Sequence, residues 1–126
     1  MSKNFIFSSI AGAMLLATPA FADGDAAAGA TVFVKCKACH ENEQGVNKIG
    51  PTLKGVVGRK TASIADYKYS DAMAAKGAEG QVWDEATLAA YLPDPKANVP
   101  GTKMAFAGLK NPQEVADVIA YLKSKP

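Results

Sequence analysis

Both cysteines and the single histidine of this 126-residue chain fall within five positions, Cys36, Cys39 and His40, in the stretch KCKACH. No other feature limits the possible folds as strongly. A disulfide across two intervening residues closes so small a loop that it would stabilise the chain very little. A thioredoxin-like redox pair normally follows a strand, and the preceding AAAGATVFVK reads as a helix. Structural zinc wants a full set of ligands, and two Cys and one His with no second pair at metal-ligand spacing do not supply it.

C-x-x-C-H is, however, the attachment signal for haem c. The thiols of Cys36 and Cys39 add to the haem vinyl groups as two thioethers, and the adjacent His40 imidazole ligates the iron. One turn of chain must then present both sulfurs at the ring edge and the imidazole at the metal. A covalently held haem also supplies a large apolar body around which a small chain can pack, a need that small secreted domains usually meet with a staple.

The start of the chain fits this reading. MSKNFIFSSIAGAMLLATPAFA carries Lys3, an apolar run from Phe5 to Ala17 and a small-x-small site at Ala20-Phe21-Ala22, the pattern of a cleaved secretory signal peptide over residues 1–22. The run is shorter than the roughly 20 residues of a spanning helix. Ser8, Ser9 and Gly12 interrupt it, so a retained membrane tether is the lesser alternative. Residues 23–126 suffice for one domain, expected in the periplasm. With Lys3 set aside, 13 of the 14 basic residues face 12 acidic ones, a balance that argues against nucleic acid as a partner.

Periodicity and caps predict a mostly helical chain with long loops. Asp25 can cap a helix from Ala26 to about Lys37, which delivers Cys36 to the haem; a short helix is expected over Ser70 to Lys76. Asp84 can cap WDEATLAAYL, with Pro93 and Pro95 limiting its extension, and PDPKANVPGTKMAFAGLKN reads as loop. The clearest helix comes last. Asn111 caps it, Pro112 opens it, Glu114 approximates a capping box, and Val115, Val118, Ile119 and Leu122 form one inward face.

A haem ligated by His40 alone could bind small ligands or activate peroxide, whereas a six-coordinate haem mainly transfers electrons. No second histidine exists, which leaves Met, Lys or an open site; beyond the leader the methionine candidates are Met73 and Met104. Met73 sits on the predicted short helix. Met104 lies in VPGTKMAF, a Pro/Gly-bounded loop that can bring a thioether toward iron.

Gly29 and Phe33, CKACH, GPTLKGVVGRKT, YSDA, the Trp83 helix, and PGTKMAFAG followed by AYLK together resemble class I c-type cytochromes, most closely the short cytochrome c2 and mitochondrial cytochrome c group. The resemblance spans essentially all of the chain after the leader. It implies the all-α cytochrome c fold, with few helices and long loops wrapped around one covalent haem. Its first and last helices cross where Gly29 and Phe33 meet Val118 and Tyr121. It implies Met104 as sixth iron ligand, the Pro51 carbonyl on the His40 imidazole, and Tyr91 hydrogen-bonded to the methionine sulfur. It further implies that Arg59, Tyr69, Trp83 and Thr102 hydrogen-bond or neutralise the haem propionates, and it marks Met73 as a departure where relatives often carry Asn.

The activity so implied is that of a monomeric one-electron carrier, not an enzyme. Its donor would be a cytochrome bc1-type complex and its acceptor an oxidase, a photosynthetic reaction centre or a reductase. Lys35, Lys37, Lys48, Lys96, Lys103 and Lys110 flank the attachment and methionine segments, whereas Asp84, Glu85, Glu114 and Asp117 begin helices elsewhere. The resemblance therefore favours a lysine ring that docks acidic partners. A different class of function, a haem protein with a labile sixth site acting as peroxidase or gas binder, is distinguished from the carrier by the role of Met104.

Overall fold

A computed structural model describes Gly12 and residues 23–126; apart from Gly12, the leader expected over 1–22 lies outside the described residues. Among the described residues five helices follow one another: α1 (Ala26–Phe33), α2 (Asp71–Ala78), α3 (Glu85–Tyr91), α4 (Pro95–Asn98) and α5 (Pro112–Lys123). Among the described residues the only extended pairing is an isolated antiparallel bridge between Lys60 and Val82. The architecture is the expected all-α one, with long loops over residues 34–70 and 99–111.

Each helix starts where a short polar side chain can take up free backbone N–H groups. Asp25 Oδ1 accepts from Ala27 and Ala28 N–H, Ser70 Oγ from Met73 N–H, Asp84 Oδ1 from Thr87 N–H, and Asn111 Oδ1 from Gln113 N–H. Glu114 does not turn back to close a capping box; it reaches Lys35 Nζ at 3.6 Å instead.

Two element boundaries differ from expectation. The first helix ends at Phe33, not near Lys37, because from Val34 to Lys37 the backbone N–H groups bond to carbonyls three residues back. The chain tightens into successive turns that present Cys36, Cys39 and His40. The segment expected as loop after Tyr91 contains α4, where Asp94 caps by accepting from Ala97 N–H and Pro95 occupies the first turn. Pro95 starts a helix there, since a first-turn residue has no intrahelical N–H bond to lose. The short helix runs over Asp71–Ala78 with Ser70 as its cap, close to the expected span.

The organising contact is between α1 and α5. At Gly29 an added Cβ would overlap the backbone carbonyl of Asp117 and approach Tyr121 Cβ at 2.8 Å, so only glycine lets the two backbones meet. Beside this point the Phe33 and Tyr121 rings stand 5.2 Å apart at 51°, a tilted pair that adds to the core. The predicted inner face of α5, Val115, Val118, Ile119 and Leu122, is buried as expected. Asp117, also buried, secures the start of α1: its Oδ1 accepts from Asp25 N–H at 2.8 Å and from Gln113 Nε2 at 2.8 Å. Val56, Trp83, Leu88, Tyr91, Val99 and Leu109 extend this core under the remaining loops.

Gly29→Leu is expected to lower the unfolding free energy by about 3 kcal/mol, read as an earlier urea midpoint and a lower folding yield. A wild-type midpoint would remove the close backbone crossing. The Asp25 N–H bond, with help from Gln113, holds the Asp117 carboxyl below the usual aspartate range. Its stabilisation is therefore fully present above that range and is lost as pH falls through the lowered value. In Asp117→Asn, urea midpoints should converge on wild type as pH drops below the ordinary aspartate value; a gap independent of pH would show that its charge is immaterial.

Candidate haem site

The attachment turn is built from the backbone outward. Cys36 N–H donates to Phe33 O at 2.8 Å, and the Cys36 carbonyl accepts from both Cys39 N–H at 3.1 Å and His40 N–H at 2.9 Å. One carbonyl thus holds the second cysteine and the histidine in a single turn. Both thiols are free and half-buried. Burial pushes the Cys36 thiol up, partly offset by the nearby Lys35 ammonium, so the group is a protonated thiol at neutral pH.

His40 Nδ1 lies 2.7 Å from the Pro51 carbonyl oxygen. A carbonyl only accepts, so Nδ1 carries the proton and Nε2 keeps its lone pair for a metal. Burial pushes the imidazole below its ordinary value, with the Pro51 carbonyl opposing and Arg59 and Lys48 adding to the fall. The neutral ring is the form that ligates. Gly50 packs against it so closely that any Cβ would overlap the ring.

The loop after His40 is held by a residue that sequence reading did not single out. Glu41 Oε2 accepts from Glu43 N–H at 2.9 Å and Gln44 N–H at 2.7 Å, while Oε1 accepts from Val46 N–H and Thr52 Oγ1 at 2.6 Å each. The Thr52 hydroxyl, with these amides, holds the Glu41 carboxyl down to about 2. Asn47 crosses the same loop, its Oδ1 accepting from Thr52 N–H and its Nδ2 donating to Asp66, both at 3.0 Å. Asn42 is buried between them in sequence, and its Nδ2 has no partner among the described residues. A carboxylate directly after C-x-x-C-H was the available signal for this clamp.

A second group gathers around Met104. Tyr91 O–H donates to Met104 Sδ at 3.5 Å, Met104 N–H donates to Thr102 Oγ1 at 3.2 Å, and the Trp83 and Tyr91 rings stand 4.9 Å apart. Burial pushes the Tyr91 hydroxyl up, keeping it a donor. Arg59 lies on the histidine side, its Nη2 donating to Thr52 O at 2.9 Å and its Nη1 to Lys54 O at 3.3 Å. Tyr69 accepts from Ile64 N–H and packs edge-on against Tyr67. Leu53, Met73, Leu92, Met104 and Phe106 are only partly buried where they meet the core, along with Cys36. Half-covered apolar side chains, a thiol and a thioether among them, are of the kind that suits contact with a large apolar macrocycle with a metal at its centre.

All six candidate docking lysines are exposed. Their surroundings differ from expectation in one respect: Glu114 is no distant helix start, because it pairs with Lys35 at 3.6 Å. Sequence separation hid that the α1–α5 crossing brings the two together. Lys48 Nζ donates to Lys37 O at 2.8 Å and Lys110 Nζ to Pro93 O at 2.6 Å, while Lys96 sits in α4 and Lys103 next to Met104.

Fold and site together describe a helical protein with a turn that presents Cys36, Cys39 and His40 and a separate loop that carries Met104. The cytochrome c family model matches residues 26–126. Cytochrome c2 iso-2 of Magnetospirillum fulvum is 58% identical over 73% of this chain and 93% of its own length. Cytochrome c2 of Rhodomicrobium vannielii is 47% identical over 98% of this chain and 97% of its own. Among solved structures, cytochrome cH from Methylobacterium extorquens superposes with a TM-score of 0.73 at 54% identity, covering 81% of this chain and all of that one. The chain belongs to the cytochrome c family, close to cytochrome c2.

Gly50→Ala should displace the imidazole from the Pro51 carbonyl. The haem-loaded variant is expected to lose much of its low-spin histidine-ligated absorption while keeping covalent haem. A wild-type spectrum and thermal midpoint would mean that the ring has room to spare.

Proposed function

We propose that this chain is a soluble periplasmic carrier of single electrons, with one haem c bound through thioethers to Cys36 and Cys39 and ligated by His40 and Met104. The observation that carries this reading is that both axial candidates come already oriented. Nδ1 of His40 is engaged by Pro51 at 2.7 Å, and the Met104 thioether receives the Tyr91 hydroxyl at 3.5 Å. Two ligands held in advance would leave a bound haem no coordination position for a substrate, and little would need to move between oxidation states.

When bound, the haem supplies a one-electron couple, its potential raised by the thioether ligand and by burial. The chain does the rest. Cys36 and Cys39 fix the ring edge, the Pro51 carbonyl fixes the histidine tautomer, and the Tyr91 hydroxyl withdraws density from the sulfur. Arg59, Tyr69, Trp83 and Thr102 are the donors and cation assigned to the propionates, because buried carboxylates need such partners. Relatives named cytochrome c2 support the carrier reading.

The leader, residues 1–22, directs export, and residues 23–126 form the working monomer. Donor and acceptor are a cytochrome bc1-type complex and an oxidase, reaction centre or reductase. These dock on the exposed Lys35, Lys37, Lys48, Lys96, Lys103 and Lys110, of which Lys35 is partly neutralised by Glu114. Surface ion pairs of this kind contribute only about 0–1 kcal/mol, so Lys35 remains available to an acidic partner.

The native protein, when reduced, should not bind carbon monoxide, and when oxidised it should show the weak far-red sulfur-to-iron band. Met104→Ala should lose that band and bind carbon monoxide readily. Rapid binding by the wild type would replace the carrier with a ligand-binding or peroxidase function. Electron transfer to a partner should slow as ionic strength rises from low to physiological values; a flat response would remove the lysine ring. An intact mass starting at Asp23 checks the processing.

A further inference from the structure

The segment Cys39–Glu41 and the segment Gly50–Leu53 lie side by side, joined rung by rung. Gly50 N–H donates to Cys39 O at 2.8 Å, His40 Nδ1 meets Pro51 O at 2.7 Å, and Leu53 N–H donates to Glu41 O at 2.8 Å. Between the last two lies a rung made by side chains, Thr52 Oγ1 to Glu41 Oε1 at 2.6 Å. Glu41 directly follows the histidine and Thr52 directly follows the proline. The rung therefore spans the next step along the same two chains that the imidazole contact joins.

Thr52 has its other polar groups engaged as well. It is buried, its N–H donates to Asn47 Oδ1 at 3.0 Å, and its carbonyl accepts from Arg59 Nη2 at 2.9 Å. The Glu41 carboxylate is in turn seated on Glu43, Gln44 and Val46 N–H. With the flanking residue tied at backbone and side chain, the peptide unit carrying the Pro51 carbonyl cannot rock without breaking bonds on its far side. Charge-assisted hydrogen bonds are about twice as strong as neutral ones, so the Glu41 rung is the stiff member of the row.

We propose that Glu41 and Thr52 are positioning residues for the proximal imidazole: their carboxylate–hydroxyl rung holds the Pro51 carbonyl against His40 Nδ1–H. This rests on the reading of His40 as an axial ligand. The hydrogen bond on the far nitrogen sets both the orientation and the basicity of a ligating histidine. A carbonyl held in place makes the ring a stronger electron donor to the metal, which favours the oxidised state. Loosening it raises the reduction potential.

Removing the Glu41 charge would raise the potential too, because a negative group near the site favours the oxidised state. Thr52→Val separates the effects, since it deletes the hydroxyl proton while leaving charge and shape nearly unchanged. The experiment uses the haem-loaded protein as wild type, Glu41→Gln, Thr52→Val, Thr52→Ser and Glu43→Gln. Glu43 offers a matched charge change, its carboxylate pairing with Lys125 at 3.6 Å on the surface. The readouts are the reduction potential and the hydrogen-exchange rate of His40 Nδ1–H by NMR.

Glu41→Gln and Thr52→Val should each speed that exchange roughly tenfold, the consequence of losing about one hydrogen bond, and each should raise the potential. Thr52→Ser, which keeps the hydroxyl, and Glu43→Gln should leave the exchange near wild type. Wild-type exchange and potential in Thr52→Val overturn the proposal, even if Glu41→Gln shifts the potential, because the carboxylate would then act as charge alone. If Thr52→Ser matches Thr52→Val, packing of the side chain replaces the rung. Failure of the underlying reading looks different: His40 ring signals in the wild type would lack the shifts of an iron ligand, and both proposals would fall.

Discussion

One contact of 2.7 Å, between His40 Nδ1 and the Pro51 carbonyl, fixes how the imidazole at the end of the CKACH turn meets the loop that follows it. It chooses the tautomer, and with it which nitrogen keeps a free lone pair. It also demands that a loop beginning at the histidine itself return to the histidine, and much of the surrounding structure serves that return. Glu41 gathers three amides and a hydroxyl inside the loop, Asn47 and Tyr67 pin its outer side to the 63–69 segment, and Arg59 ties its end inward. A loop of polar and glycine residues becomes a rigid part because its backbone groups find side-chain partners instead of helical ones.

The Met104 loop is held by a different kind of force. Met104 packs against the core that contains Trp83 and Tyr91, and two hydrogen bonds hold it, one from the Tyr91 hydroxyl to its sulfur and one from its own N–H to Thr102. The histidine side is polar and clamped, whereas the methionine side is apolar and adaptable, as suits a polarizable sulfur. Underneath both, the α1–α5 crossing supplies the closed core that neither loop could form.

Much of this was legible from residue order, for reasons that vary with the feature. Asn111–Pro112 announces α5 because a cap and a first-turn proline are local events, and the inner face of α5 follows from period alone. The Asp94–Pro95 start of α4 carries the same signal, yet a proline after a helix reads more readily as its end. The early stop of α1 was hidden because the turn that presents Cys36, Cys39 and His40 overrides the helical propensity of the residues before it. The Glu41 clamp has no periodicity, and the meeting of Lys35 with Glu114 depends on two helices far apart in the chain. The haem-ligand candidates, by contrast, are scarce residue types, and scarcity made them visible.

The bond from Asp25 N–H to Asp117 spans 92 residues, nearly the whole described chain. Its partners sit at the cap of α1 and within α5, so this part of the core closes only when residues far apart in the chain meet. Contacts so distant in sequence form late, because loop-closure entropy must be met before they contribute. The turn that carries Cys36 and Cys39 directly follows α1, so it gains its backing only with that late closure.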